Sequence, residues 1–192
     1  MHSGLLVYLM GPSGAGKDSV IDAARERLAA LGVEVVQRVI TRSPESLGER
    51  ALGATPEAFA QMRQEGAFAL CWSANGLWYG IPATIDACMA DGEGVLVNGS
   101  RAHLPQALAR YPGLLAIMLE VRPEVLRARL LKRGREPLAS IEARLDRNGA
   151  LLEQSSQWQG EGVLIHRLDN SGELANTVEA LLTLISSAVQ RS

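Results

Sequence analysis

Residues 11–18, with the sequence GPSGAGKD, have the glycine spacing and the lysine of a phosphate-binding loop. In a G-x-x-x-x-G-K-[ST] sequence the glycines let consecutive backbone N–H groups turn toward a phosphate, and the lysine reaches the outer phosphates. We therefore predict that the loop binds the phosphates of ATP. The predicted ligands are Gly11, Pro12, Ser13, Gly14, Ala15, Gly16, Lys17 and Asp18.

The last position of this loop holds Asp18, a carboxylate, where a hydroxyl normally ligates magnesium. Mg²⁺ prefers hard oxygen ligands, so we predict that Asp18 takes over that role, directly or through a bound water. The alternative is that Asp18 only begins a helix, where the helix dipole favours an acidic residue. Ser19 is a poor substitute, because one residue further along a helix the side chain is turned by about 100°.

The sequence around the loop predicts the elements that hold it. An apolar run at 5–10 predicts a buried strand, and residues 18–31 carry apolar side chains at close to helical spacing. Strand, loop and helix in this order are the context that the motif requires. The beginning of the helix adds its dipole and its unpaired N–H groups to the anion site.

Strands and helices alternate along the rest of the chain, which predicts a parallel sheet covered on both faces. A ligand of such a sheet lies beyond the carboxyl ends of the strands, where the loop is also found. The predicted strands are 33–40, 68–72, 95–97, 114–121 and 162–168, with a turn at Asn75-Gly76. The predicted helices are 56–64, 82–90, 104–110, 123–131, 139–152 and 173–189, with an arginine-rich turn at 132–137.

Composition narrows the class of protein. A chain of 192 residues with 47% hydrophobic content suits one globular domain. A net charge of -2 provides no basic field for nucleic acid, and no apolar stretch approaches the ~20 residues that span a bilayer. Two cysteines do not make a disulfide framework, and no leader pattern opens the chain. We expect a cytoplasmic protein without nucleic-acid or membrane partners, and a homodimer is one of the oligomeric states left open.

The order of further motifs resembles the guanylate kinase family over most of the chain. The segments that carry the resemblance are ITRSPE at 40–45, NGLWYGIP at 75–82, VLVNGS at 95–100 and the arginine-rich 129–135. The resemblance implies an α/β, P-loop NTPase-type three-layer fold in a single domain, 1–192. It also implies a small acceptor-binding insertion at about 38–92 and a lid at about 132–138.

Two departures from that family concern the acceptor. Leu70 and Ser100 stand where guanylate kinases place the glutamate and the aspartate that bind guanine. Without them the buried donors of the base would stay unpaired, at about 1 to 3 kcal/mol each, so GMP is not the expected acceptor. Arg42 is retained for the acceptor phosphate, whereas Glu45 replaces a second arginine.

The chain resembles one branch of that family more closely, the ribose 1,5-bisphosphate phosphokinases of phosphonate catabolism. The phrases that match are GPSGAGKDS at 11–19, ITR at 40–42, WSANGLWYG at 72–80 and VLVNGSRAHLPQA at 95–107. The resemblance implies transfer of the ATP γ-phosphoryl group to the 1-phosphate of the sugar, giving 5-phosphoribosyl 1-diphosphate. The acceptor oxygen is already ionised near neutral pH, so no general base is expected.

The resemblance also implies residue roles. Lys17 would bridge the β- and γ-phosphates, and the lid residues Arg133 and Arg135 would neutralise the transferring group. Asn170 would lie on the adenine side, with a helix N-cap as its alternative. For Arg129, in the preceding helix, the roles of a phosphate ligand and of a solvated surface residue are equally open. The predicted sugar-phosphate ligands are Arg42, Tyr79, Asn98, Ser100 and Arg144.

Two other functions remain open on the sequence. A nucleoside monophosphate kinase with an altered base preference would bind a base near Leu70 and Ser100. A catalytically silent binding module of the guanylate kinase type would use the acceptor cleft for a protein ligand. The intact Lys17 and the arginine-rich lid argue against the silent module, because a scaffold needs neither.

Overall fold

The structure, a computed structural model, describes residues 4–42, 51–134, 137–143, 145–146, 149 and 163–191. The strands in these ranges are β1 (Leu6–Met10), β2 (Val33–Val35), β3 (Val39–Ile40), β4 (Leu52–Gly53), β5 (Phe68–Ala74), β6 (Leu77–Pro82), β7 (Gly94–Asn98), β8 (Leu115–Glu120) and β9 (Ile165–Asp169). The helices are α1 (Lys17–Ala30), α2 (Pro56–Gln64), α3 (Thr84–Ala90), α4 (Leu104–Arg110), α5 (Pro123–Arg133) and α6 (Leu174–Val189). A 3-10 turn covers Arg101–His103, and residues 138–143 are helical.

The main sheet contains five parallel strands in the order β2-β7-β1-β8-β9. Strand β1 lies at its centre, and all five of its residues are buried. A parallel strand covered on both faces reads as a continuous apolar run, which is why the sequence before the loop predicted it. The predicted parallel sheet is confirmed.

The core lies in two layers, one on each face of this sheet. On one face Val7 and Leu9 pack with residues of α1 and α6, including Val20 and Leu181. On the other face Leu6, Tyr8 and Met10 pack with residues of α3, α4 and the second sheet. Successive residues of a strand point to opposite faces, so the five residues of β1 supply both layers. The result is the predicted three-layer arrangement.

A second, smaller sheet of four strands has the order β4-β3-β6-β5. Strands β5 and β6 form an antiparallel hairpin whose turn residues, Asn75 and Gly76, have φ of +52° and +75°. Both values lie in the left-handed region that a tight two-residue hairpin turn requires. The turn predicted at Asn75-Gly76 is therefore confirmed.

The strand predicted at 33–40 is wrong as a single element. Strand β2 pairs with β7 in the main sheet, whereas β3 pairs with β6 in the second sheet. An apolar run shows that residues are buried but not in which sheet, so the pattern could not locate the change of sheet. Arg38 lies between the two strands, and its guanidinium reaches across to the main-chain carbonyl of Asn98.

The turn predicted at 132–137 also begins too early. Helix α5 continues to Arg133 and ends at Gly134, which has a φ of +60°. A glycine in the left-handed conformation is a common helix end, so the glycine marks the boundary better than the basic residues before it. The helix predicted at 123–131 is thus two residues longer than the apolar periodicity indicated.

No helix in the described ranges combines the length and the apolar character that crossing a membrane would require.

Candidate active site

The loop between β1 and α1 depends on glycine at two positions. Gly14 and Gly16 have φ of +91° and +87°, which side chains rarely tolerate. A Cβ atom at Gly16 would lie 2.8 Å from Nδ2 of Asn170, and one at Gly14 would lie 2.9 Å from Cδ2 of Leu130. Both the backbone conformation and the neighbouring side chains therefore require glycine, and the loop is closely surrounded.

Lys17 holds its charge at the loop. Its Nζ atom donates to the carbonyl oxygens of Gly11 at 2.9 Å and Pro12 at 3.1 Å, and the residue is half-buried. The ammonium group is thus folded back over the loop and does not extend into solvent. A cation in this position would meet the outer phosphates of a nucleotide whose phosphate chain lies in the loop.

Asn170 supports the loop from the end of β9. Its Nδ2 atom donates to the carbonyl of Ala15 at 2.7 Å, and its Oδ1 atom accepts from the hydroxyl of Thr177 at 2.9 Å. The residue is 3% exposed. The helix N-cap alternative is wrong, because the N-cap of α6 is Glu173. Direct contact of Asn170 with the adenine side stays a prediction.

A cavity of about 450 Å³ opens beside the loop. Arg129 on α5 lies in its wall, and the Nη1 atom of this arginine is buried without a hydrogen-bond partner among the described residues. A buried guanidinium nitrogen without a partner is suited to an anionic or hydrogen-bonding ligand. The residues lining the cavity are Gly14, Gly16, Ser19, Arg129, Lys132, Asn170, Gly172 and Leu174.

Asp18 faces a different cavity from Ser19, as the rotation along the helix predicts. The Oδ1 atom of Asp18 accepts a hydrogen bond from Nδ2 of Asn98 at 3.0 Å. Asn98 is 7% exposed, and its own Oδ1 atom has no partner among the described residues. A narrow cavity of about 30 Å³ lies beside these groups and is bordered also by Arg25 and Arg38. The half-buried carboxylate of Asp18 is a hard oxygen ligand of the kind that Mg²⁺ prefers.

Tyr8 fixes the segment that follows β7. Its hydroxyl donates to the carbonyl of Ser100 and accepts from the N–H of Ser100, both at 2.9 Å. Gly99 lies against the tyrosine ring, where any Cβ atom would clash. Burial raises the pKa of the Tyr8 phenol well above its usual value, so the hydroxyl remains a donor. The main chain at Ser100 is therefore held in one position beside the loop.

Two of the predicted acceptor ligands lie on or near the second sheet. Tyr79 pairs with Ile40 across β6 and β3, and its ring stacks on Trp72 with centroids 5.6 Å apart. The Arg38 guanidinium lies 5.3 Å from the centroid of the Tyr79 ring. Arg42 is the second residue after β3 and is half-buried. The structure thus brings the two predicted acceptor ligands, Arg42 and Tyr79, into one region.

Arg38 was missed by the sequence analysis. It is 9% exposed, and its Nη1 atom donates to the main-chain oxygen of Asn98 at 2.8 Å. Burial lowers the pKa of this guanidinium, and the nearby Asp18 carboxylate opposes that effect most strongly. The available signal was an arginine four residues before Arg42, but nothing local indicated that it would meet the loop.

Arg101 was also missed. It directly follows Ser100, is 6% exposed, and burial lowers its pKa to about 10. It lines a cavity of about 340 Å³ that also includes Pro12 of the loop and Glu120 at the end of β8. A buried cation at the carboxyl end of a parallel strand is the kind of group that receives anionic ligands in such sheets. The available signal was its place in the segment 95–107, four residues after the end of the strand predicted at 95–97.

Arg135 of the predicted lid and the predicted substrate ligand Arg144 lie outside the described residues. Arg133 is the last residue of α5, at the base of the predicted lid. The catalytic roles predicted for Arg133 and Arg135, and the substrate role of Arg144, stay predictions.

Leu70 lies within the core on β5. It is 4% exposed and belongs to the same buried cluster as Trp72 and Ile81. An aliphatic side chain there offers no acceptor to the N–H groups of a purine base. The position that would bind guanine in guanylate kinases therefore contributes to packing in this chain.

The chain is similar to known proteins over most of its length. The chain is 59% identical over 180 residues to the ribose 1,5-bisphosphate phosphokinase PhnN of Pseudomonas fluorescens, covering 94% of each chain. It is 57% identical over 182 residues to the protein of the same name from Azotobacter vinelandii, covering 95% of this chain and 96% of that one. No family model matches the chain.

Among solved structures, the guanylate kinase of Anaplasma phagocytophilum matches with a TM-score of 0.69, covering 97% of this chain and 87% of that one. The identity is 14%, so this likeness supports the P-loop kinase fold alone. The family is shown by the relatives that match over nearly their whole length. The chain belongs to the ribose 1,5-bisphosphate phosphokinase (PhnN) family.

Proposed function

We propose that this protein transfers the γ-phosphoryl group of ATP to the 1-phosphate of ribose 1,5-bisphosphate. The products are ADP and 5-phosphoribosyl 1-diphosphate. The observation that carries the proposal is the 59% identity, over 94% of both chains, to a ribose 1,5-bisphosphate phosphokinase. The site described above is consistent with it, because a phosphate-binding loop faces a cationic acceptor region.

The reaction needs few covalent roles from the protein. A bond forms between an oxygen of the sugar 1-phosphate and the γ-phosphorus, and the bond from that phosphorus to the β,γ-bridging oxygen breaks. The acceptor oxygen is ionised, so no proton has to leave it. Positioning and neutralisation of charge supply most of the lowering of the barrier in such transfers.

The donor half of the site positions the nucleotide. The N–H groups of the loop and the Lys17 ammonium hold the phosphate chain, while Asn170 keeps the loop in shape through the carbonyl of Ala15. Arg129 contributes a further cation to the neighbouring cavity. Arg133 and Arg135 would complete the cage around the transferring group.

Asp18 would hold Mg²⁺, which when bound neutralises negative charge on the β- and γ-phosphates. The carboxylate is half-buried and fixed by Asn98 at 3.0 Å. Its direction is therefore set before a metal arrives.

The acceptor half matches a substrate with two phosphates better than one with a base. Arg42, Arg38 and the Tyr79 hydroxyl offer positive charge and a hydrogen-bond donor, whereas Leu70 is buried in the core. Ser100 contributes a hydroxyl and no carboxylate. Without the two carboxylates that would pair with a buried guanine, the site should not select for guanine.

The structure also fits a reaction without a general base. His103 stacks on Trp72 with ring centroids 5.4 Å apart, and burial lowers the pKa of its imidazole. It is thus kept neutral and packs against Trp72. No step of the proposed reaction requires it.

A panel of acceptors tests the proposal. The protein is incubated with Mg-ATP and, in parallel, with ribose 1,5-bisphosphate, GMP, AMP or ribose 5-phosphate, and release of ADP is measured. We expect turnover with ribose 1,5-bisphosphate alone. Turnover with a nucleotide alone would favour the monophosphate kinase, and no turnover with any acceptor would favour a silent binding module. Neighbouring carbon-phosphorus lyase genes would support the predicted place in phosphonate breakdown.

A further inference from the structure

We propose that Trp72 and His103 determine the acceptor specificity. Their stacked rings leave no open indole face on which the base of a nucleoside monophosphate could lie, whereas a sugar phosphate needs none. The inference rests on the proposed transfer to a sugar phosphate, because it names the residues that would reject a competing acceptor. Neither side chain has a role in the chemical step.

Trp72 lies beside Tyr79, one of the predicted acceptor ligands. The two residues are directly opposite each other in β5 and β6, so their side chains leave the hairpin on the same face. Their rings are nearly parallel, at 6°, with centroids 5.6 Å apart. Trp72 also belongs to a buried cluster that includes Tyr8 and Met10 of β1, so this face of the hairpin is turned toward the main sheet.

His103 covers the indole from the side of the main sheet. It ends the 3-10 turn that follows Ser100, and its ring centroid lies 5.4 Å from that of Trp72, at an interplanar angle of 27°. Among the described residues no ring contact joins His103 to Tyr79, which indicates that the indole lies between them. Only 7% of Trp72 is exposed, so neither face of the indole is open to a ligand.

Arg38 extends the stack at its other end. Its guanidinium lies over the Tyr79 ring, 5.3 Å from the centroid, and donates to the main-chain oxygen of Asn98 at 2.8 Å. The planar groups of Arg38, Tyr79, Trp72 and His103 thus contact one another in that order. One end of the stack is bonded to the last residue of β7, and the other end lies in the turn that follows. The stack therefore joins the two sheets beside the acceptor ligands.

The stack affects the two classes of acceptor differently. A base gains much of its affinity for a protein by stacking on an aromatic face. Here the indole faces are covered, and the neighbouring Leu70 is packed in the same core. A ribose phosphate has no flat ring and depends on charge and hydrogen bonds, which Arg42 and the Tyr79 hydroxyl can provide. We therefore expect the region to bind the sugar phosphate and to reject the nucleotide.

His103 is the layer whose removal tests this most directly. The residue is only half-buried, so truncation in His103→Ala would open one face of the indole to solvent. In His103→Phe a flat ring would still cover that face. Burial lowers the pKa of the His103 imidazole, so its ring is neutral near pH 7, as the phenyl ring is.

The test measures binding of GMP and of ribose 5-phosphate to the full chain by calorimetry, without ATP. GMP is that sugar phosphate with a base attached, so comparing the two isolates the contribution of the base. We expect His103→Ala to lower the Kd for GMP by about 10-fold and to change the Kd for ribose 5-phosphate by less than about twofold. His103→Phe should return the Kd for GMP to the parent value. His166→Ala, at a half-buried histidine on β9, is the matched control and should leave both values unchanged.

Binding of GMP by His103→Ala that is no tighter than in the parent protein would overturn the proposal. An equal gain for ribose 5-phosphate would also overturn it, because it would indicate a general loosening of the site. Thermal melting shows whether the variant folds. If it does not, proton NMR of the parent protein decides, since the chain has only three histidines. The imidazole signal of His103 should stay unchanged when GMP is added, and a shift that saturates with GMP would contradict the stack.

This experiment and the acceptor assay fail separately. Neither ATP nor ribose 1,5-bisphosphate is present in the binding test, so a gain in GMP binding can be measured even if the acceptor assay shows no turnover. Turnover of ribose 1,5-bisphosphate by the parent protein, together with unchanged GMP binding in His103→Ala, would support the proposed function and overturn the role of the stack.

Discussion

The proposed donor and acceptor halves of the site are built in different ways. The donor half is formed by main-chain geometry, with Gly14 and Gly16 in left-handed conformations and Lys17 folded over the loop carbonyls. The acceptor half is formed by side chains that meet across long separations, such as Arg38 with Asn98. Main-chain geometry leaves a compact local pattern in the sequence, whereas long-range meetings of side chains leave none. The first half can therefore be recognised without a structure, and the second cannot.

Loss of the Lys17 charge should have the largest effect and should fall on the chemical step of the donor half. We expect Lys17→Met to lower kcat by about 10³-fold, because a cation at the transferring group is removed. Arg27→Met is the matched control, since Arg27 is an exposed cation on the same helix. Steady-state kinetics with ribose 1,5-bisphosphate measure both. A kcat for Lys17→Met close to that of the control would contradict the role of Lys17.

The conformation of the loop should matter next. Gly16→Ala places a Cβ atom 2.8 Å from Nδ2 of Asn170 at a φ of +87°. We expect the affinity for a non-hydrolysable ATP analogue to fall by about 10-fold, because left-handed backbone costs a non-glycine residue about 1 to 2 kcal/mol. Calorimetry gives the affinity. At Gly113 a Cβ atom would meet nothing within 4 Å, so Gly113→Ala should retain full affinity. Equal affinities in the two variants would show that the loop tolerates alanine.

Arg38 tests whether the acceptor half can be weakened by itself. We expect Arg38→Met to raise the KM for ribose 1,5-bisphosphate by about 10-fold, as for a lost charge-assisted contact, with a much smaller change in the KM for ATP. Arg38→Lys should recover only part of the loss, since lysine keeps the charge without the planar fork. A larger rise in the KM for ATP than for the sugar would place Arg38 functionally in the donor half.

Tyr8 should affect stability more than activity, because it supports the main chain where the two halves meet. We expect Tyr8→Phe to lower the free energy of unfolding by about 1 to 3 kcal/mol, since two main-chain groups of Ser100 lose their partner. Denaturant unfolding measures the change. The hydroxyl of Tyr111, which donates to Asp86, belongs to a half-exposed residue. Tyr111→Phe should therefore lower the free energy of unfolding by less. A loss in Tyr8→Phe no larger than in Tyr111→Phe would contradict the support role.

The same division explains what the sequence could predict. The parallel sheet, the loop and the hairpin turn at Asn75-Gly76 were predictable because apolar runs, glycines and turn residues act over a few neighbouring positions. The change of sheet between β2 and β3 was not predictable, because the apolar residues of both strands form one pattern that does not indicate which sheet each strand joins. Predicting it would have required knowing that Arg38 bonds to Asn98, 60 residues further along the chain.

The site residues show the same difference between local sequence patterns and long-range contacts. Asn170 was expected on the adenine side or as an N-cap, and its bond to the carbonyl of Ala15 was not foreseen. That bond joins residues 155 positions apart, which no spacing pattern can reveal. Arg101 lies in the segment 95–107 that carries the resemblance, but only its burial in a cavity that Pro12 also lines indicates a site. Local motifs identify the loop, and tertiary contacts identify what holds it.

The most direct test of the central claim is a competition in one tube. Equal concentrations of ribose 1,5-bisphosphate and GMP are supplied with limiting Mg-ATP, and the products are followed by phosphorus NMR. The account predicts that the diphosphate appears on carbon 1 of the sugar and that GMP is left unchanged. Formation of GDP with the sugar bisphosphate untouched would contradict it.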